Sequence, residues 1–309
     1  MSRPAELPVP DDGPFRVRDA VAAGATRTRL SRTDLEAPIH GVRAPSGLGV
    51  SRVEALALVL RDDQFFSHGT AALLWGAPVS GHFGGEEVHV TSVGVAPVMR
   101  RPHVVPHRVR DPTVDVRYRN GFRLSAPARS WYECAGSSSL EDLVVLGDYF
   151  VGPADLATLD GLRAAIPPRG RHVRRARAAL ARVRAGSESP MESRMRVRVV
   201  DAGFPEPEVN HDVFDASGTF LGRADMAWPN LRIALEYDGD HHREQQTFRH
   251  DRRRSNGFVV NDWIVVHATA LDADRPAVLF ERLRQAFEQR RVERAAGPTR
   301  RFHDAPREY

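Results

Sequence analysis

The stretch from Gly222 to His242, GRADMAWPNLRIALEYDGDHH, constrains the fold more than any other part of the chain. Two runs of alternating apolar and polar residues flank Pro229 and Asn230, which are turn formers. This predicts a β-hairpin with strands over about 222–228 and 232–238. Successive side chains on a strand point to opposite faces. Ile233, Leu235 and Tyr237 therefore share one face of the second strand, and Ala234, Glu236 and Asp238 the other. On the first strand Met226 and Trp228 lie opposite Arg223, Asp225 and Ala227. If Pro229 pairs with Arg232, Ala227 faces Ala234 and Asp225 faces Glu236. A slip of one residue would drive Asp225 among the apolar side chains, and burying an unpaired carboxylate costs several kcal/mol. The first register gathers Asp225, Glu236 and Asp238 in one place. Adjacent like charges destabilise a sheet; a cation between them removes the conflict, and hard Mg²⁺ takes oxygen ligands of this kind. The simpler alternative is a solvated face neutralised by Arg223 and Arg232.

The remaining chain supplies context. All 44 basic residues are arginine, which biases the surface toward phosphate contacts, and the isoelectric point is near 9.8. Cys134 is the only cysteine, so no internal disulfide can form and a reducing compartment fits. The N-terminal MSRPAELPVPDDGP lacks the apolar run of a signal peptide, and no stretch reaches the length of a membrane span. A cytoplasmic protein that does not enter membranes is expected.

In chain order, a helix over 17–23, a turn at Gly24 and a second helix over 26–36 are predicted, followed by an extended piece over 39–44. This is a helix-turn-helix pattern with a wing, or else a small structural helical cap. In the first case Arg27, Arg29 and Arg32 lie where a reader of the major groove places its contacts. Two helices are expected over 51–78, then a β-rich region over 87–125. His103 and His107 have a spacing that serves a metal on a helix, but Pro102 and Pro106 rule out a regular helix there. SSSLEDLVVLGDYFVG predicts a helix with a capping box at Ser138 and Glu141. Residues 163–198 hold eleven arginines. In RHVRRARAALARVRA, Val173, Ala176, Leu180 and Val183 form an apolar face. Arg171, Arg174, Arg175 and Arg182 cluster opposite it, either as a solvated face or as a contact for a phosphate backbone.

The C-terminal half opens with Ser189 at an N-cap, Pro190 at N1 and Glu192 at N3. A strand follows over 208–214, then the hairpin, a helix over 243–256, a strand over 259–268 and a last helix after Asp274. The order α-β-β-β-α-β-α implies an α/β fold around one mixed sheet.

That order and those carboxylates resemble the PD-(D/E)XK nuclease superfamily, and most nearly its very-short-patch-repair-like branch. The residues that carry the likeness are Glu192 in SPMES, Asp225 in RADMAWP, Glu236 and Asp238-Gly239 in LEYDG, His242, and Asp251 with Arg254 in DRRR. The N-terminal half, through SHGTAALLWG and SAPARSWYECAG, resembles proteins related to the AbiEi antitoxins of abortive-infection systems. Together the likenesses imply a winged-helix-like DNA-binding segment over 1–50, an α+β region over 51–160 and a basic helical linker over 161–186. A restriction-endonuclease-like domain over 187–292 and a disordered tail over 293–309 would complete the chain.

By this resemblance Asp225, Glu236 and Glu192 bind Mg²⁺ or Mn²⁺, and the metal activates a water that attacks a DNA phosphodiester. The superfamily's lysine should stand two residues after Glu236, where this chain has Asp238. His242 could serve as general base in its place, and Asp238 as a further ligand. Two functions follow: a metal-dependent DNA endonuclease, or a non-enzymatic DNA-binding regulator of antitoxin type that retains a silent nuclease fold. The second adds a cognate toxin as a partner class, and self-association stays open.

Overall fold

The computed structural model describes residues 7–9, 12–78, 87–238, 257–269, 271–272 and 275–296. The protein is mixed α/β, with three separate sheets among the described residues and helices between and after them. It divides into two compact units: residues 1–143 with 156–177, and residues 144–155 with 178–309.

In the first unit, β1 (Phe15–Arg16) leads into α1 (Val17–Ala22) and α2 (Arg27–Leu30). β2 (Leu35–Glu36) and β3 (Val42–Pro45) complete a three-stranded sheet of order β1-β3-β2. The predicted second helix is cut to a single turn. Thr26 caps its start, the chain turns at Ser31, and Leu35 already pairs with Pro45. A helix of this length cannot lie along a groove as the sequence pattern suggested.

Next come α3 (Arg52–Ala57), β4 (Gln64–Phe66) and α4 (His68–Leu74). The β-rich region follows as β5 (Val88–Val93), β6 (Val104–Val109), β7 (Val116–Arg119) and β8 (Phe122–Ser125), which form a sheet of order β6-β5-β4-β8-β7. Phe65, Phe66 and Leu124 are fully buried. α5 (Pro127–Cys134) adds Trp131, whose indole N–H donates to the Leu143 carbonyl at 2.8 Å, so a large apolar ring is buried without orphaning its polar atom. α6 (Leu140–Val151) begins one residue later than its sequence pattern implies. Ser139 accepts from the Asp142 amide, while the Ser138 hydroxyl is spent on the Cys134 carbonyl. α7 (Leu159–Ala165) and α8 (Val173–Leu180) follow, and Val173 and Ala176 are buried as the periodicity requires.

The second unit takes the end of α6 together with α9 (Pro190–Asp201), β9 (Glu208–Phe214), β10 (Phe220–Trp228), β11 (Ile233–Asp238), β12 (Ile264–Thr269) and α10 (Ala277–Ala295). Its sheet has the order β12-β11-β10-β9; β9, β10 and β11 are antiparallel in sequence, and β12 runs parallel to β11. On one face Met226, Trp228, Ile233 and Leu235 pack with Met195 and Val199 of α9 and with Leu279, Leu283 and Ala286 of α10. A second cluster gathers Val213, Ala224, Ala227 and Ala234 around Phe258. Truncating a fully buried Leu235 or Met226 to alanine would cost about 2–5 kcal/mol. The strand predicted from Val259 starts instead at Ile264, because residues 257–260 form a helical turn that leaves Val259 and Val260 exposed.

An ion pair anchors the 144–155 segment in this unit. Arg196 is only 1% exposed and places its Nη2 2.8 Å from Asp148 Oδ2 and its Nη1 2.7 Å from Glu206 Oε1. Asp148 Oδ1 also accepts from the Arg184 amide. Burial pushes the Asp148 carboxyl upward, and the opposing pull of Arg196 does not fully cancel it.

Candidate functional site

The hairpin adopts the register that the alternation predicts: Met226 pairs with Leu235, Ala227 with Ala234 and Trp228 with Ile233. Continued one pair further, that register would set Asp225 opposite Glu236. A 3-10 turn over Pro229–Leu231 makes the connection, closed by Arg232 in the left-handed region at φ 50°. Asp225 Oδ2 accepts the Tyr237 backbone N–H at 2.7 Å, which ties its carboxylate to the facing strand. Glu236 is 3% exposed, beside the small side chains of Ala227 and Ala234. Arg223 pairs with Asp212 and Glu188, and Arg232 with Asp262.

Glu192 does what its position in the helix requires. Its amide is capped by Ser189 Oγ, and its carboxylate accepts from the Glu188 amide and from Asn210 Nδ2 on β9, both at 2.9 Å. Glu192, Asp225 and Glu236 do not all come within 4.8 Å of one another, so the trio expected in one coordination sphere is open. The donors are hard oxygens, the type that Mg²⁺ takes. Glu192 would have to leave its cap to join them. Asp238 ends β11 opposite Thr269; its side chain, and His242, Asp251 and Arg254, lie outside the described residues.

The arginines expected to meet nucleic acid divide into two groups. Arg27, Arg32, Arg171 and Arg174 are exposed. Arg29 is 11% exposed and pairs with Asp34 at 2.9 Å, so it braces the turn after α2. Arg175 donates to the carbonyls of Ala135 and Ser138, closing the C-terminal end of α5, and Arg182 pairs with Asp201 at 2.7 Å. Arg29, Arg175 and Arg182 thus have structural work within the fold, although Arg175 is as exposed as Arg171 and Arg174.

The first unit contains a cluster that sequence reading missed. His68, His89 and His107 each offer a ring nitrogen within 4.8 Å of the others; among the described residues this is the one group of three or more ligand-type side chains that close. His89 Nδ1 and His107 Nε2 are 2.9 Å apart, and the His68 ring stacks on that of His107 with centroids 3.6 Å apart. Burial, reinforced by the neighbouring rings, lowers His68 and His107 to about 3 and pushes His89 down as well. The sequence paired His107 with His103, but His103 is exposed just before β6. The true partners come from the parallel ladder, in which Thr91 is registered with His107 and His89 with Val105, and from the start of α4. Alternation on HVT and HRV could have placed His89 and His107 on one face; nothing local could have brought in His68.

No family model matches the chain, and no solved structure matches it. Two uncharacterized proteins of Mycobacterium tuberculosis, MT2308 and Rv2248, are each 30% identical to it over 108 residues. The match covers 34% of this chain and 40% of each relative, so the chain spans well under half the length of the curated relatives it matches.

Proposed function

We propose that the C-terminal unit is a metal-dependent phosphodiesterase of the restriction-endonuclease type that acts on DNA, with the N-terminal unit contributing DNA contacts. The observation that carries this reading is the register of the central hairpin, which sets Asp225 opposite Glu236 on a four-stranded sheet whose last strand is parallel to β11. The helix-strand order α9-β9-β10-β11, then β12 and α10, supports the same reading.

Asp225 and Glu236 would hold the cation, and the Tyr237 amide would fix the Asp225 rotamer. A bound divalent cation would polarise a phosphodiester oxygen and acidify a coordinated water. Glu192 acts first as a helix cap in this scheme, and His242 is the residue best suited to take the water's proton near neutral pH. The exposed Arg171 and Arg174 supply affinity for phosphates without reading sequence.

The test is incubation of the full chain with supercoiled plasmid and Mg²⁺ or Mn²⁺, with a chelator control. Nicking or linearisation that requires the metal supports the reading. The silent-fold regulator is favoured by Asp238 standing where the superfamily has lysine. It predicts DNA binding with no cleavage under either metal, and that outcome would overturn the enzyme.

A further inference from the structure

We propose that His68, His89 and His107 form a binding site for a borderline transition-metal cation, Zn²⁺ being the natural occupant, built wholly within the N-terminal unit and separate from the carboxylate hairpin. Three imidazoles are a recurrent zinc donor set that leaves a fourth position for water or another ligand. The same set is a poor host for Mg²⁺, which takes oxygen.

Four observations carry the assignment. First, the cluster is assembled from three separate elements, the start of α4 and the parallel strands β5 and β6. Second, each ring is partly exposed, so a cation can reach the nitrogens without unfolding the sheet. Third, the ring nitrogens are already gathered: all three offer one within 4.8 Å of the others, and His89 Nδ1 lies 2.9 Å from His107 Nε2.

Fourth, the surroundings orient His68 as metal sites orient their ligands. His68 holds φ at 53°, a region that costs a non-glycine residue of order 1 kcal/mol and more. Glu133 compensates by accepting the His68 backbone N–H at 3.0 Å. That carboxylate is itself fixed by Ser125 Oγ at 2.7 Å and Arg129 Nε at 2.9 Å. The His68 Nδ1 lies 2.9 Å from Ser67 Oγ, which in turn takes a hydrogen bond from Thr91. The tautomer in which Nδ1–H donates to Ser67 leaves Nε2 to ligate. A hydrogen bond to the non-ligating nitrogen of this kind fixes ring orientation in metal centres.

Metal entry has a defined structural cost. The three rings are within 20° of parallel, and imidazole lone pairs lie in the ring plane, so they do not converge as they stand. Binding requires rotation about the side-chain bonds and replaces the His89–His107 hydrogen bond with two metal bonds.

The experiment uses the full chain, stripped with a chelator, exchanged into metal-free buffer and titrated with ZnCl₂ by calorimetry, with bound zinc counted by mass spectrometry. The expected result is one zinc per chain in the wild type and in Asp225→Asn. His89→Gln and His107→Gln should weaken that binding severely. Glu133→Gln, which alters a positioning residue, should weaken it about 10–100-fold. Wild-type protein that takes up no zinc, His107→Gln that binds as tightly as wild type, or zinc lost from Asp225→Asn would each overturn the site. Should the histidine variants fail to fold, the side-chain NMR signals of the wild type decide. Zn²⁺ should move three of the thirteen histidines while equal Mg²⁺ moves none of those three; a zinc response confined to other histidines, or one that Mg²⁺ reproduces, overturns it.

Discussion

His68, His89 and His107 come from three elements scattered over the first unit and lie in contact, whereas Asp225 and Glu236 come from the two arms of one hairpin, and with Glu192 they do not close. Distance along the chain would suggest the reverse. The chemistry of the ligands explains it. Neutral imidazoles can stack and hydrogen-bond with one another, so they gather without an ion. Carboxylates repel, and each finds a separate partner: Asp225 the Tyr237 amide, Glu192 its cap and Asn210. The closeness of such side chains depends on how well they tolerate each other, which is a different property from how well they hold a cation.

The largest expected effect separates the two clusters. Asp225→Asn should abolish metal-dependent cleavage and leave DNA affinity unchanged or slightly raised, because the amide removes an anionic ligand while keeping its shape. His107→Gln should leave cleavage intact. Paired plasmid-nicking assays on both variants check this; loss of cleavage in both would mean that the clusters act together.

A smaller effect concerns Glu192. Glu192→Gln keeps a side chain able to bond Asn210 but loses the charge that favours a helix N-terminus, so stability should fall by about 0.3–1 kcal/mol, read from urea unfolding. Cleavage should fall much less than in Asp225→Asn. An equal loss in both would place Glu192 in the metal sphere and make the open trio a feature of the metal-free state alone.

The smallest effect is on pH dependence. His68 and His107 resist protonation when folded, so the unfolded chain binds more protons between about pH 3 and 6.5. Their contribution to stability is complete above pH 6.5 and is lost progressively as pH falls toward 3. His68→Gln should flatten that acid-side slope, measured as melting temperature against pH. An unchanged slope would mean that His68 takes up its proton as readily in the folded protein as in the unfolded chain, and burial would then not set its behaviour.

What the sequence made legible follows the same division. The cap at Ser189, strand β9 and the hairpin register are set by neighbours a few residues apart, and periodicity with turn chemistry finds them. The second helix of the N-terminal pattern was misread because Asp34 is drawn to Arg29 and Leu35 to β3, and no local propensity reports either contact. Within the basic belt Arg175 and Arg182 look alike in sequence to Arg171 and Arg174, and only the position of the Ala135 and Ser138 carbonyls and of Asp201 tells them apart. The sequence reading discounted the His103–His107 spacing and found no other companion for His107, because its neighbours are supplied by a parallel strand pair and a helix start.

The pairing of Asp148 with Arg196 bears on how this protein can be cut and inherited. The carboxylate belongs to a piece of chain encoded well before the rest of the unit that needs it. A gene fragment that begins at residue 178 would carry a guanidinium folded for a partner it no longer encodes, and losing one side of such a pair costs about 3–5 kcal/mol. Recombination between the two units would meet the same obstacle. A crossover upstream of Val144 keeps the pair together, and it carries along residues 156–177, which belong to the other unit.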